Sequence, residues 1–362
     1  MANNLRTQTK AAIHRAMKAA MKATAELNDS ALAEIEQLYT STLAEIQLLV
    51  SNYADELGVV RLSQLHRLRQ EIGDRLNRLA QTQTMMVHEN ISIAAQNGAM
   101  ASNGTVAEDV IRDIVDDSVM TARTFKYNDG LQLSDRLWRI DRHAREVVIN
   151  AVDRAVILGS SASEAADDFI RRGQPIPDDI VGKMKLGNAD GINRVIATDL
   201  MTGKGVPYDH IRLVMQTEIN RAHDMAFMGA AFKDPSVVGI QFTLHPTKHK
   251  KPDICDMHAS ANLYGLGRGV YPEGKVPVKH IRTTSYYKKV FEDEVTEDDR
   301  TGQTDRISWL KGQSREAQKA VLGHDKKVAA LEKGYLTEGM IATPWKHLEP
   351  ALKRKGINTQ NL

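Results

Sequence analysis

Five side chains in the second half of the sequence have the chemistry of metal ligands. The pattern His245-x3-His249-x5-Cys255-x2-His258, with His280 further on, sets imidazoles and a thiol at short spacings. Zinc takes such donors in a tetrahedral shell, and ligands two to four residues apart let one turn clasp the ion. A structural zinc held by His245, Cys255, His258 and His280 is therefore the candidate cofactor, able to order a long segment poor in hydrophobes. The competing reading turns His245 toward a core, leaves His249 in the basic run Lys248-His249-Lys250-Lys251 and buries Cys255 as a small hydrophobe.

Other patterns point to loops more than to catalysis. Gly265, Gly267 and Gly269 lack the spacing of a dinucleotide-binding turn, and Pro272 opposes the helix such a turn needs. Turns with positive φ explain them better. Glu292-Asp293-Glu294, with Thr283-Thr284-Ser285 upstream, weakly resembles the catalytic elements of ADP-ribosyltransferases. Those elements lie further apart in such enzymes, and the acidic run continues through Glu297, Asp298 and Asp299, as in a solvated loop. No Ser-His-Asp arrangement, phosphate loop or paired-carboxylate site is evident, so the expected protein is not an enzyme.

The elements that must position these residues are mostly helices. Ala, Leu, Lys, Glu, Arg and Met dominate and aromatics make up only 5%, a bias that favours helix. Leu32, Ile35, Leu38, Tyr39, Ile46, Leu49, Val50, Tyr53 and Leu57 recur at three- and four-residue steps, after capping residues Asn28, Asp29 and Ser30 and before Gly58. Leu62, Leu65, Ile72, Leu76 and Leu79 continue the pattern, with Arg69 in the seam. This predicts an antiparallel pair around Gly58, residues 60–80 forming a bundle helix or a short coiled coil. A polar joint is expected at 97–104, a helix over 106–122 and another over 133–157, ended by Gly159-Ser160-Ser161. A helix at 208–232 and a β-branched strand at 237–244 follow, then a long Gly-, Pro-, His- and Lys-rich segment, then helices from Asp305. The expected fold is mainly α: a bundle-like helical region over 1–206, a small α+β module over 207–300 and a helical tail over 301–362.

Bulk properties narrow the function. The 362 residues carry 48 basic and 46 acidic groups, a formal charge of +2, so contact with nucleic acid rests on local patches. Arg6, Lys10, Arg15, Lys18 and Lys22 form one such patch, read as a frayed, solvated helix or as a dock for DNA or an acidic partner. A single cysteine excludes an intramolecular disulfide and fits a reducing cytosol. No apolar run approaches the roughly 20 residues that span a bilayer, and no signal peptide is evident, so no membrane contact is expected.

One family resemblance ties these features together. Glu218-Ile219-Asn220-Arg221 on a helix is followed by a strand, then His245-Pro246, Asp253-Ile254-Cys255-Asp256 and Gly265-Leu266-Gly267-Arg268-Gly269-Val270-Tyr271-Pro272. Trp309-Leu310, Gln318, Val321-Leu322-Gly323 and Gly334 come later, with Leu38-Tyr39, Tyr53-Ala54, Trp138 and Gly159-Ser160 upstream. In order and spacing this resembles the phage head morphogenesis family, the Mu F-type minor head proteins. Many relatives close the Gly-rich segment with His-Pro-x-Cys-x-Cys, whereas Val278-Lys279-His280-Ile281-Arg282 stands here, which weakens any metal inferred from them. The resemblance implies a structural protein at the portal inside the capsid, present in the host cytoplasm during assembly. It further implies contacts with the portal protein, with major capsid or scaffolding protein, and with packaged DNA through the basic termini. The competing classes are a DNA-binding protein and an ADP-ribosyltransferase-like or metal-dependent enzyme.

Overall fold

The computed structural model describes residues 2–127, 129–175, 188–245, 252–279, 283 and 285–362, with the backbone alone at 2–9, 157–168 and 170. His249, His280 and Thr284 lie outside the described residues. The protein is mainly helical, with one small antiparallel sheet and a helical C-terminal region. No helix among the described residues is long and apolar enough to cross a membrane. The chain forms two compact units, and neither is contiguous in sequence. One comprises 18–98 and 112–226; the other comprises 1–17, 99–111 and 227–362.

Helices α1 (Ala2–Asn52) and α2 (Leu65–Ala99) supply much of the first unit. On α1 the buried positions Ala31, Ile35, Tyr39, Thr42, Ile46 and Leu49 keep the three- and four-residue steps of one helix face. Contacts between the helices step in opposite directions: Tyr53 to Glu71, Glu45 to Arg75 and Arg78, Tyr39 to Gln83. The pair is thus antiparallel, turning through Asp55–Val59, where the Asp55 carboxylate accepts from the Leu57 and Val59 amides. Helix α1 differs from expectation in both limits, starting near the N-terminus and stopping before Tyr53. Asn28, Asp29 and Ser30 cap nothing; the Asn28 amide donates to Thr24 O and Asn220 Oδ1 (3.1 Å each), while Ser30 Oγ donates to Glu34. With no Gly or Pro between Ala2 and Asn52, nothing in the backbone breaks the helix. The buried stripe of α2 extends past residue 80 through Val87, Ile91, Ala94 and Ala95, and Arg69 pairs with Asp153 at 3.5 Å. That is a bundle helix.

Most of α3 (Glu108–Thr124) and of α6 (Pro207–Ala231), with α4 (Leu133–Arg171) and α5 (Ala189–Met201), complete the first unit. Helix α4 runs through Gly159-Ser160-Ser161 instead of ending there. A mid-helix glycine costs only about 1 kcal/mol, which helical neighbours offset. Asn97 and Gly98, expected at a joint, lie inside α2, and the joint itself is the 3₁₀ turn Met100–Ser102. Asn188 caps α5 by accepting from Gly191 N at 2.7 Å. Pro207 opens α6, where its missing N–H is no loss.

In the second unit β1 (Val237–Thr243) lies between β2 (Val270–Tyr271) and β3 (Tyr286–Phe291), all antiparallel. Ile240 pairs with Tyr271 and Phe242 with Tyr287. One core packs Phe242, Tyr271, Tyr287 and Phe291 with Phe227, Cys255, Ile13 and Met17. From Lys10 onward the basic N-terminal segment is therefore not a frayed helix, since Ile13 and Met17 sit in a core. A second core gathers Leu310, Val321, Leu322, Val328, Leu331, Leu348 and Leu352 with Met257. Its helices are α9 (Arg306–Lys311), α10 (Arg315–Leu322), α11 (Asp325–Glu332) and α12 (Trp345–Arg354), preceded by the short α8 (Glu297–Thr301). Ser314 caps the start of α10, and left-handed Gly323 ends it.

Candidate functional site

Hydrogen bonds and packing order residues 253–271, the described stretch that carries Cys255 and His258. Helix α7 (Ile254–Ser260) begins in a capping box: Asp253 Oδ1 accepts from Cys255 N at 2.6 Å, and Asp256 Oδ2 accepts from Asp253 N at 2.8 Å. The helix faces both cores of its unit, Cys255 entering one and Met257 the other. Gly269 follows in a left-handed turn at φ 70°. A Cβ there would lie 2.7 Å from Ala259 O and 2.9 Å from Phe242 O, so only glycine fits. Tyr271 then returns its hydroxyl to His258 O at 2.8 Å. Gly265 and Gly267 also have positive φ, as expected of loop glycines.

Of the ligand candidates, His245, Cys255 and His258 are described, while His249 and His280 are not. Cys255 is a buried free thiol with Sγ 3.4 Å from Thr283 Oγ1. The His258 ring packs against Phe242 and Tyr271, with centroids at 5.6 and 6.5 Å. Among the described residues no three His, Cys, Asp or Glu side chains converge as a metal shell. The acidic candidates are taken up in local structure. Glu294 accepts from Phe291 N at 2.9 Å, Glu292 pairs with Arg300 at 2.6 Å and Asp293 pairs with Lys10.

Glu218 and Arg221 form a buried ion pair one helical turn apart on α6, with Nε to Oε2 at 3.2 Å. Glu218 is 1% exposed, and Tyr127 donates its hydroxyl to Oε1 at 2.7 Å. The Arg221 guanidinium lies over Phe125 at 3.9 Å and Tyr127 at 4.3 Å, and Arg136 covers the same tyrosine at 4.1 Å. Burial pushes the Glu218 carboxyl above the usual carboxylate range, against the opposing pull of Arg221 and Tyr127. The arrangement fixes the loop between α3 and α4 to α6. It is a clamp.

A second buried cation was not anticipated. Lys289 on β3 is 1% exposed, and Nζ donates to Ala101 O at 3.1 Å and Ser102 Oγ at 2.8 Å. Burial lowers its pKa to about 8, with Asp234 pulling the other way. A lysine amine against a serine hydroxyl is the chemistry of a Ser-Lys nucleophile. Ser102 is also 1% exposed, which shuts out an external substrate. Sequence reading missed the pair because 187 residues separate its members and buried lysines are rare. Lys327 is likewise buried and donates to the carbonyls of Ile341 and Thr343.

With the geometry described, comparison with known proteins adds no relative: no family model, curated protein or solved structure matches the chain.

Proposed function

We propose that the chain is a structural minor head protein of a tailed bacteriophage. It associates with the portal inside the procapsid and acts in head assembly, DNA packaging or ejection. The observation that carries this reading is the role of the residues behind the family resemblance. Glu218 and Arg221 clamp a loop, Asp253 and Asp256 cap a helix, Gly269 admits two carbonyls and Tyr271 ties a strand to α7. These are architectural tasks. The carboxylates of an alternative transferase are engaged in ion pairs and a cap.

On this reading the protein resides in the capsid interior near the portal, after assembly in the host cytoplasm. Major capsid or scaffolding protein is a further partner, and neither a cofactor nor a membrane takes part. Contact with packaged DNA is assigned to α12. Leu348 and Leu352 bury one side of that helix, whereas Lys346, Lys353 and Arg354 are exposed. At 3.6 residues per turn these cations lie opposite the buried leucines. Quantitative mass spectrometry of purified heads tests the proposal. Recovery at low copy number, below the major capsid protein, supports it, and absence from heads made by cells that express the protein rejects it.

A further inference from the structure

The clamp around Lys289 has a chemical consequence independent of the head-protein reading. Among the described residues Lys289 Nζ donates to Ser102 Oγ at 2.8 Å and to Ala101 O at 3.1 Å. The carbonyl it contacts belongs to the peptide bond that precedes the serine. Covalent connectivity keeps a seryl Oγ beside the preceding carbonyl carbon, one five-membered ring away. The amine therefore bridges a nucleophile and the oxygen of the bond that nucleophile can attack. Both side chains are buried, which keeps out a bulky external acyl donor, so the acyl group within reach of Ser102 is the chain's own Ala101.

We propose that Ser102, with Lys289 as its base and oxyanion donor, cleaves the chain at the Ala101–Ser102 bond through an N-to-O acyl shift. A neutral amine has one lone pair and two N–H groups. The lone pair takes the Oγ proton as Oγ bonds to the Ala101 carbonyl carbon, and an N–H stays on Ala101 O as that oxygen becomes anionic. The tetrahedral intermediate collapses by breaking the C–N bond, and the Lys289 proton passes to the departing Ser102 nitrogen. Ala101 is then an ester on Ser102 Oγ beside a free α-amine. One water hydrolyses the ester, leaving a carboxylate at Ala101 and restoring the Ser102 hydroxyl. Hydrolysis consumes that water and needs no oxidant or reductant. The reduced basicity that burial gives Lys289 supplies neutral amine near neutral pH.

The test is incubation of the purified full chain at neutral and mildly alkaline pH, with and without hydroxylamine, followed by intact-mass measurement. Hydroxylamine captures an ester as the hydroxamate; because it also cleaves Asn-Gly bonds, here Asn97-Gly98 and Asn103-Gly104, only fragments that part at Ala101–Ser102 by mass report the shift. The expected products are residues 1–101 and 102–362, the latter beginning Ser102-Asn103-Gly104. Ser102→Ala abolishes them, and Lys289→Met slows their formation by about 10²-fold or more. The wild-type reaction is itself the readout, so the test does not depend on a variant's folding. A folded chain that yields no fragment ending at Ala101 through prolonged hydroxylamine treatment overturns the proposal and leaves Lys289 as a structural clamp. Cleavage between residues 101 and 102 undiminished in folded Ser102→Ala overturns it equally.

Discussion

Changing Gly98 to alanine sets helix propensity against packing. Gly98 lies near the end of α2, and a Cβ built there would sit 2.1 Å from the carbonyl oxygen of His223 on α6, 2.9 Å from its carbon and 3.0 Å from its Cα. Contact with a backbone oxygen needs roughly 1 Å more, and a helix backbone cannot rotate away as a side chain can. Overpacking of this kind costs about 1–3 kcal/mol or more, and the rigid neighbour places Gly98→Ala at the upper end. Alanine returns about 1 kcal/mol in helix propensity, so the expected net loss is about 2 kcal/mol. Gly73, on the same helix, is the control. Its nearest neighbour is Nη1 of Arg145 at 3.5 Å, the tip of a flexible side chain, so Gly73→Ala should gain about 0.5–1 kcal/mol. Urea denaturation followed by circular dichroism reads both midpoints. A Gly98→Ala protein as stable as wild type would refute the close packing of α2 against α6.

Removing Arg221 strands the buried Glu218 carboxylate, so Arg221→Ala should lose about 3–5 kcal/mol in the same urea assay. Adding Glu218→Gln should recover part of that loss, since the uncompensated charge is then gone. Lys289 gives a pH signature with a definite sign. Its folded pKa of about 8 lies below the ordinary lysine value, so between these pH values the unfolded chain holds the proton that the folded chain has shed. Stability attributable to this group should rise with pH across that window, by roughly 3 kcal/mol in total, and urea titrations of Lys289→Met should lack the rise. On α12, Lys346→Glu with Arg354→Glu should weaken duplex-DNA binding and flatten its salt dependence by about 2 in log–log slope. Fluorescence anisotropy over a salt series checks this, and an unchanged slope would remove α12 from the DNA contact.

Much of the fold was legible where burial follows a local period. Ile35, Tyr39 and Ile46 on α1, and Leu65, Ile72, Leu76 and Leu79 on α2, are buried at the positions their spacing predicts. The strand at 237–243 was evident from its β-branched run, one residue shorter than expected. The first thirty residues of α1 were harder to read, because their buried face is built from Ile13, Met17, Ala20 and Thr24 among many alanines. That is a weak apolar signal on a strongly helical segment. Gly159-Ser160-Ser161 misled in the opposite direction, since such residues weaken a helix without ending it. Side-chain clusters were the least accessible. Glu218-x2-Arg221 stands out as a motif, but Tyr127 lies 91 residues from Glu218. Lys289 carries no local sign that it meets Ser102. Such pairings depend on tertiary placement, which residue spacing along one element does not encode.

The central claim is association with the portal, and co-expression of the full chain with the portal protein of the same genome tests it most directly. Affinity capture followed by size-exclusion chromatography with mass determination should return one complex heavier than the portal assembly alone. Folded protein that elutes by itself, with portal and procapsid both present and intact, would contradict the account.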